Sequence, residues 1–111
     1  MTSKKICSVN DLVENSGVCA LIERNGAEEQ VALYYLPSTD KKIYALSNWD
    51  PLGQANVMSR GILGSVGEEL VVASPLYKQH FSLLTGDCIE EDVSLPVYPV
   101  SIEGEDVVLC A

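Results

Sequence analysis

The chain has 111 residues, 47% hydrophobic and 21% charged, with 7 Lys and Arg against 16 Asp and Glu and a formal net charge of -9. That length suits one hydrophobic core, so a single domain over residues 1–111 is expected, and the apolar fraction excludes a disordered chain. The acidity excludes nucleic acid as a partner, because displacing the counterions of a polyanion takes a basic surface, and it suits solubility or docking with a basic partner.

Along the chain, short apolar or alternating runs recur between turn residues at intervals of about 8 to 12 residues, which predicts an all-β sandwich or barrel. The expected strands run from Lys4 to Ser8, Val18 to Glu23, Gln30 to Leu36, Lys42 to Leu46, Ile62 to Val66, Leu70 to Ala73, Phe81 to Leu84, Val97 to Ile102 and Val107 to Cys110. Turns are expected at Arg24-Asn25-Gly26-Ala27, Pro37-Ser38-Thr39-Asp40, Val66-Gly67-Glu68, Thr85-Gly86-Asp87 and Glu103-Gly104-Glu105-Asp106, several of them hairpins, where Gly and Asp accept the backbone angles of tight turns. A single helical turn is expected within Asn10-Asp11-Leu12-Val13-Glu14, capped by Asn or Asp. The longest segment without strand character is Trp49 to Gly61, and loops of that length in a compact domain are usually functional.

Met1-Thr2-Ser3-Lys4-Lys5 does not lead into an apolar signal region, and no apolar run approaches the ~20 residues that span a bilayer, so a cytoplasmic protein without membrane attachment is expected. The four cysteines, Cys7, Cys19, Cys88 and Cys110, are too scattered for a disulfide framework. They read as reduced core filler in apolar surroundings.

Two loops carry the functional argument. Ser74-Pro75-Leu76-Tyr77-Lys78-Gln79-His80-Phe81 followed by Thr85-Gly86 matches C-P-x-H-G-W-x-F-x-x-x-T-G in spacing, with Ser74 and Tyr77 at the Cys and His positions. Asn48-Trp49-Asp50-Pro51-Leu52 matches N-x-C-P-H, with Asp50 and Leu52 at those positions. These are the halves of a Rieske [2Fe–2S] motif with every ligand replaced. A carboxylate, a hydroxyl, an alkyl group and a phenol do not supply the soft or borderline donors such a cluster takes, and no metal or cofactor is expected in this chain.

The match extends over nearly the whole chain. Gly17-Val18-Cys19-Ala20-Leu21, Ser47-Asn48-Trp49-Asp50-Pro51, Met58-Ser59-Arg60-Gly61, and Val72 to Leu76 continued by Lys78-Gln79-His80-Phe81 resemble the small subunit of the bacterial assimilatory NAD(P)H-dependent nitrite reductase, a Rieske-like protein. The resemblance implies a Rieske-like antiparallel β-sandwich or barrel with a two-loop subdomain. It also implies a partnership with a large catalytic subunit that carries FAD, a [4Fe–4S] cluster and siroheme and reduces nitrite to ammonium. This chain shows no Gly-rich dinucleotide fingerprint and no cluster-spaced cysteines, so those cofactors are expected in the partner and this chain alone is expected to be non-catalytic.

Each singled-out residue has a plainer reading beside the functional one. Asp50 and Ser74 would merely set turns before Pro51 and Pro75, or else the loops present a partner surface with an apolar tip of Leu52, Leu76 and Tyr77. Arg60, Lys78 and His80 are solvated loop residues, or they orient docking by charge. Trp49 is an exposed anchor for a partner or a core residue, and Tyr34 and Tyr35 must face opposite ways. A set of Ser74, His80 and Asp50 lacks the local context of a hydrolytic triad. Two other readings stand beside the accessory subunit: a free Rieske-type electron carrier for an oxygenase, and a cofactor-free interaction module that self-associates.

Overall fold

The run Val31-Ala32-Leu33-Tyr34 has no polar alternation, and a computed structural model explains why: the strand that carries it is covered on both faces. The structure describes residues 3–24, 26–39, 41–76 and 78–110. β2 (Ser16–Arg24), β3 (Ala27–Tyr35) and β4 (Ile43–Ser47) form an antiparallel sheet in the order β2-β3-β4. Side chains alternate across a strand, so Val31, Leu33, Ile43 and Ala45 enter one core while Ala32, Tyr34, Tyr44 and Leu46 enter another.

The first of these cores is closed by β1 (Ser3–Ser8), β10 (Val100–Glu103) and β11 (Asp106–Cys110), in the order β1-β11-β10, through Val100, Val107 and Leu109. The second is closed by β7 (Ile62–Val66), β8 (Glu69–Ala73) and β9 (His80–Ser82), through Val72 and Phe81, with Met58, Leu83, Cys88 and Leu95 from the connecting loops. Glycines with positive φ make the hairpin turns at Gly67 and Gly104. All-β architecture is thus as expected, and most strands lie within a residue or two of their expected places.

The departures have local causes. The segment Trp49 to Gly61 is not strandless: it holds the two-residue strands β5 (Trp49–Asp50) and β6 (Ala55–Asn56) and a 3-10 helix at Met58–Arg60, too short to leave a periodic signal. β10 begins at Val100 and not Val97, because Val97 and Tyr98 serve β4 instead: Leu46 bridges Val97, and Tyr98 N donates to Ala45 O at 3.0 Å. The early helical turn is a 3-10 helix at Val9–Asp11, and its cap is Ser8, whose Oγ accepts from Asn10 N at 3.2 Å while Asp11 Oδ2 accepts from Ser8 N at 3.1 Å.

Of the cysteines, Cys88 is buried, Cys7 and Cys110 are half-buried, and Cys19 is exposed. Cys19 is therefore not core filler: β2 is an outer strand of its sheet, and the Cys19 thiol sits beside Gln30 Oε1 at 3.6 Å and Asn48 Nδ2 at 3.5 Å. Burial raises the Cys7 thiol pKa, with the Asp11 charge adding to it. No helix among the described residues is long and apolar enough to cross a membrane.

Candidate functional site: two loops joined by Asp50 and Ser74

The first loop leaves β4 at Asn48, a buried residue tied down on every side. Its Oδ1 accepts from Ser59 N at 2.7 Å and its Nδ2 donates to Gln30 Oε1 at 3.0 Å. Its backbone N–H donates to Gln30 O and its carbonyl accepts from Met58 N, each at 3.1 Å. Asn48 thus fastens both ends of the loop to β3 and to the 3-10 helix behind it. Tyr34 adds a second fastening, its fully buried hydroxyl donating to Met58 O at 2.6 Å. Burial pushes the Tyr34 phenol far above its ordinary range, so it stays a donor throughout the accessible pH range.

Beyond Asn48 the Asp50 side chain turns inward and folds the loop around itself. Its Oδ1 accepts from Leu52 N at 2.9 Å and Gly53 N at 3.1 Å, and its carbonyl accepts from Gln54 N at 2.7 Å. This is the Asx turn that an Asp before Pro favours. The second loop does the same with a hydroxyl: Ser74 Oγ accepts from Leu76 N at 3.2 Å, Ser74 O from Lys78 N at 3.0 Å, and Ser74 N donates to Gln79 O at 2.9 Å. The two turns then meet, because Ser74 Oγ donates to Asp50 Oδ2. Both residues are buried, Asp50 fully.

The loops also touch through apolar groups. A Cβ on Gly53 would run into Leu76 Cδ1, so the absence of a side chain at Gly53 lets the second loop sit down on the first. Leu76 remains 46% exposed, while Leu52 is half-buried and packs against the core beneath. Trp49, between two buried neighbours, is 45% exposed and faces solvent as an anchor would. Arg60 and Lys78 are exposed, Lys78 with a φ of 63°. Tyr77 lies outside the described residues.

His80 is committed elsewhere. Its backbone N–H donates to Glu90 Oε1 at 2.8 Å and its Nδ1 lies 2.6 Å from Glu90 Oε2. Those backbone and side-chain bonds hold the Glu90 carboxyl below its ordinary value. With Ser74 bonded to Asp50 and His80 to Glu90, no Ser-His-Asp relay forms, as the sequence context implies.

The three described ligand positions do not fit a [2Fe–2S] cluster. Asp50 and Ser74 present hard oxygen donors and satisfy each other directly, and Leu52 offers an alkyl group at an imidazole position. Their chemistry is that of a structural tie between loops. Sequence reasoning missed Asn48 and Tyr34 as the parts that hold the site. Asn48 was visible as the leading residue of the first motif, whereas nothing local marks Tyr34 as the donor to Met58.

Fold and loops together define a class. A profile of the Rieske-like [2Fe–2S] domain matches residues 3–110. The chain is 42% identical over 89 residues, 80% of its length and 78% of the relative's, to the nitrite reductase (NADH) small subunit of Escherichia coli strain K12. It is 36% identical over 103 residues to the nitrite reductase [NAD(P)H] large subunit of Klebsiella oxytoca, covering 92% of this chain and 10% of that one. Among solved structures, one described as a nitrite reductase NADPH small subunit superposes with a TM-score of 0.89 at 45% identity, with all of both chains covered. The chain belongs to the Rieske-like family, and within it to the small subunits of NAD(P)H-dependent nitrite reductase.

Proposed function

We propose that this chain is the accessory subunit of an NAD(P)H-dependent nitrite reductase, binding a large subunit that carries FAD, a [4Fe–4S] cluster and siroheme, and holding no cofactor of its own. The observation that carries the reading is the Asp50–Ser74 bond, which fills the place of two cluster ligands with a hydrogen bond between two side chains of this chain while leaving the two-loop scaffold in place. The match to a stretch within a large subunit supports the partnership, since there a related domain belongs to the same polypeptide as the rest of that subunit. The role is to order the large subunit for electron transfer, not to pass electrons itself.

The loop end is the proposed docking face. Trp49 and Leu76 supply exposed apolar surface, with Leu52 beneath, and Arg60 and Lys78 supply positive charge in a chain of net charge -9. His80 is positioned at the foot of the second loop by Glu90. Tyr77 belongs to the same loop by sequence.

The test is a pull-down of the purified chain with the cofactor-loaded large subunit, together with nitrite-dependent NADH oxidation with and without the chain. Binding, raised activity and a colourless small subunit are the expected results. An iron–sulfur absorbance band in the chain itself would instead favour the electron-carrier class, and neither binding nor activation would overturn the subunit reading.

A further inference from the structure

A buried polar atom without a partner is uncommon in a folded chain, because the hydrogen bond it made to water has not been replaced. Among the described residues one side-chain atom is in that state, Gln79 Oε1 in the second loop. The residue as a whole is half-buried, so the covered oxygen belongs to a side chain near the surface. Beside it Lys78 has a φ of 63°, a left-handed backbone that a residue with a Cβ adopts at a cost. Two consecutive residues of the proposed docking face are therefore held in unfavourable states.

One residue holds both of them there. Lys78 N donates to Ser74 O at 3.0 Å and Ser74 N donates to Gln79 O at 2.9 Å, which closes residues 74–79 into a small hydrogen-bonded loop. Ser74 is fixed in turn by its bond to Asp50, a fully buried residue. The crest of the loop is surface, with Pro75, Leu76 and Lys78 exposed. None of the described residues from 75 to 79 belongs to either hydrophobic core. The loop is thus anchored at its base through Ser74, and its crest can shift while both cores stay packed.

We infer that Gln79 is a docking residue: when the chain binds the large subunit, the second loop shifts and Gln79 Oε1 accepts a hydrogen bond from an N–H donor of that subunit. The free chain carries the cost of an unsatisfied acceptor and the complex does not, so the same atom that destabilises the free loop favours the bound one. The inference deepens the proposed docking face and rests on it.

Charge selects the large subunit over a second copy at this face. The exposed charged residues of the two loops, Arg60 and Lys78, have one sign, and a two-fold pairing of loop ends would set them against their own equivalents. In the Klebsiella oxytoca relative the matching stretch lies within the large subunit itself.

Gln79→Met keeps the length of the side chain and removes the acceptor. Thermal unfolding of the free variant, and its affinity for the cofactor-loaded large subunit, are compared with those of the unaltered chain. The expected result is a Tm raised by about 4 °C in the free chain together with an affinity lowered about fivefold. A glutamine with only a structural role does not move the two in opposite directions. Adding Ser74→Ala should abolish the rise in Tm, because an untied loop lets Gln79 reach water in the free chain. A Tm that falls in Gln79→Met shows that Oε1 has a partner in the free chain and overturns the inference, as does an unchanged affinity. A rise in Tm that survives Ser74→Ala overturns the part given to the tie. An unaltered chain that does not bind the large subunit removes the partnership itself, and the docking role with it. A free chain that sediments as a dimer, and as a monomer in Gln79→Met, assigns the acceptor to a second copy and overturns the occupant.

Discussion

The two faces of the central sheet solve the same packing problem differently. On one, Val31, Leu33, Ile43 and Ala45 meet Val100, Val107 and Leu109 of the β1-β11-β10 sheet in a core built from apolar contact. On the other, Ala32, Tyr34, Tyr44 and Leu46 meet Val72 and Phe81, and that core continues into a loop end where named polar bonds take over: Tyr34 to Met58, Asn48 to Ser59, Asp50 to Ser74. The first face holds the fold by area removed from water, which is non-directional. The second must hold a particular loop shape, and only directional bonds specify that.

Large truncations should divide the molecule along this line. Phe81 and Leu33 are both fully buried, one on each face. Phe81→Ala is expected to cost about 3–5 kcal/mol and Leu33→Ala about 2–5 kcal/mol in urea unfolding. Hydrogen exchange should show the difference: Leu33→Ala leaves local protection of the Leu52 and Gly53 amides unchanged, and Phe81→Ala reduces it. Equal effects on those amides would erase the distinction between the faces.

Asp50→Ala comes next. It removes the acceptor of Leu52 N, Gly53 N and Ser74 Oγ at once. A loss of about 2–3 kcal/mol is expected, limited because the freed loops can open to water. Faster exchange should be confined to the two loops, and Asp50→Asn should cost less because an acceptor survives. A cost no larger than that of an ordinary surface substitution would show that the tie does not hold the loops.

Tyr34→Phe leaves the Met58 carbonyl without its buried donor while preserving the ring, for an expected loss of about 1–3 kcal/mol by thermal or urea unfolding. The smallest effect belongs to the exposed His80–Glu90 pair. Because the Glu90 pKa is lower in the folded state than its ordinary value of 4.5, its contribution is present above that value and is lost as pH falls through the folded one. Stability measured from pH 6 down to pH 3 should therefore fall less steeply in Glu90→Gln than in the unaltered chain.

Much of this was legible in the residues. Turn chemistry at Gly67 and Gly104 and the apolar runs between turns marked the strands, because backbone angle and burial are local demands on local sequence. The two motifs marked the loops, and Pro after Asp50 and after Ser74 marked their turns. What escaped were elements whose cause lies elsewhere in the chain: the brief β5–β6 pair, the transfer of Val97 and Tyr98 to β4, and the exposure of Cys19 on an outer strand.

The sequence by itself determined an all-β chain with a Rieske-like two-loop motif and no soft donors at its ligand positions, since composition, spacing and side-chain chemistry are carried residue by residue. Only the tertiary structure decided that Asp50 and Ser74, 24 positions apart, bond each other, and that His80 belongs to Glu90. Those facts depend on which strands become neighbours, and that is set by the burial of two cores on opposite faces of one sheet.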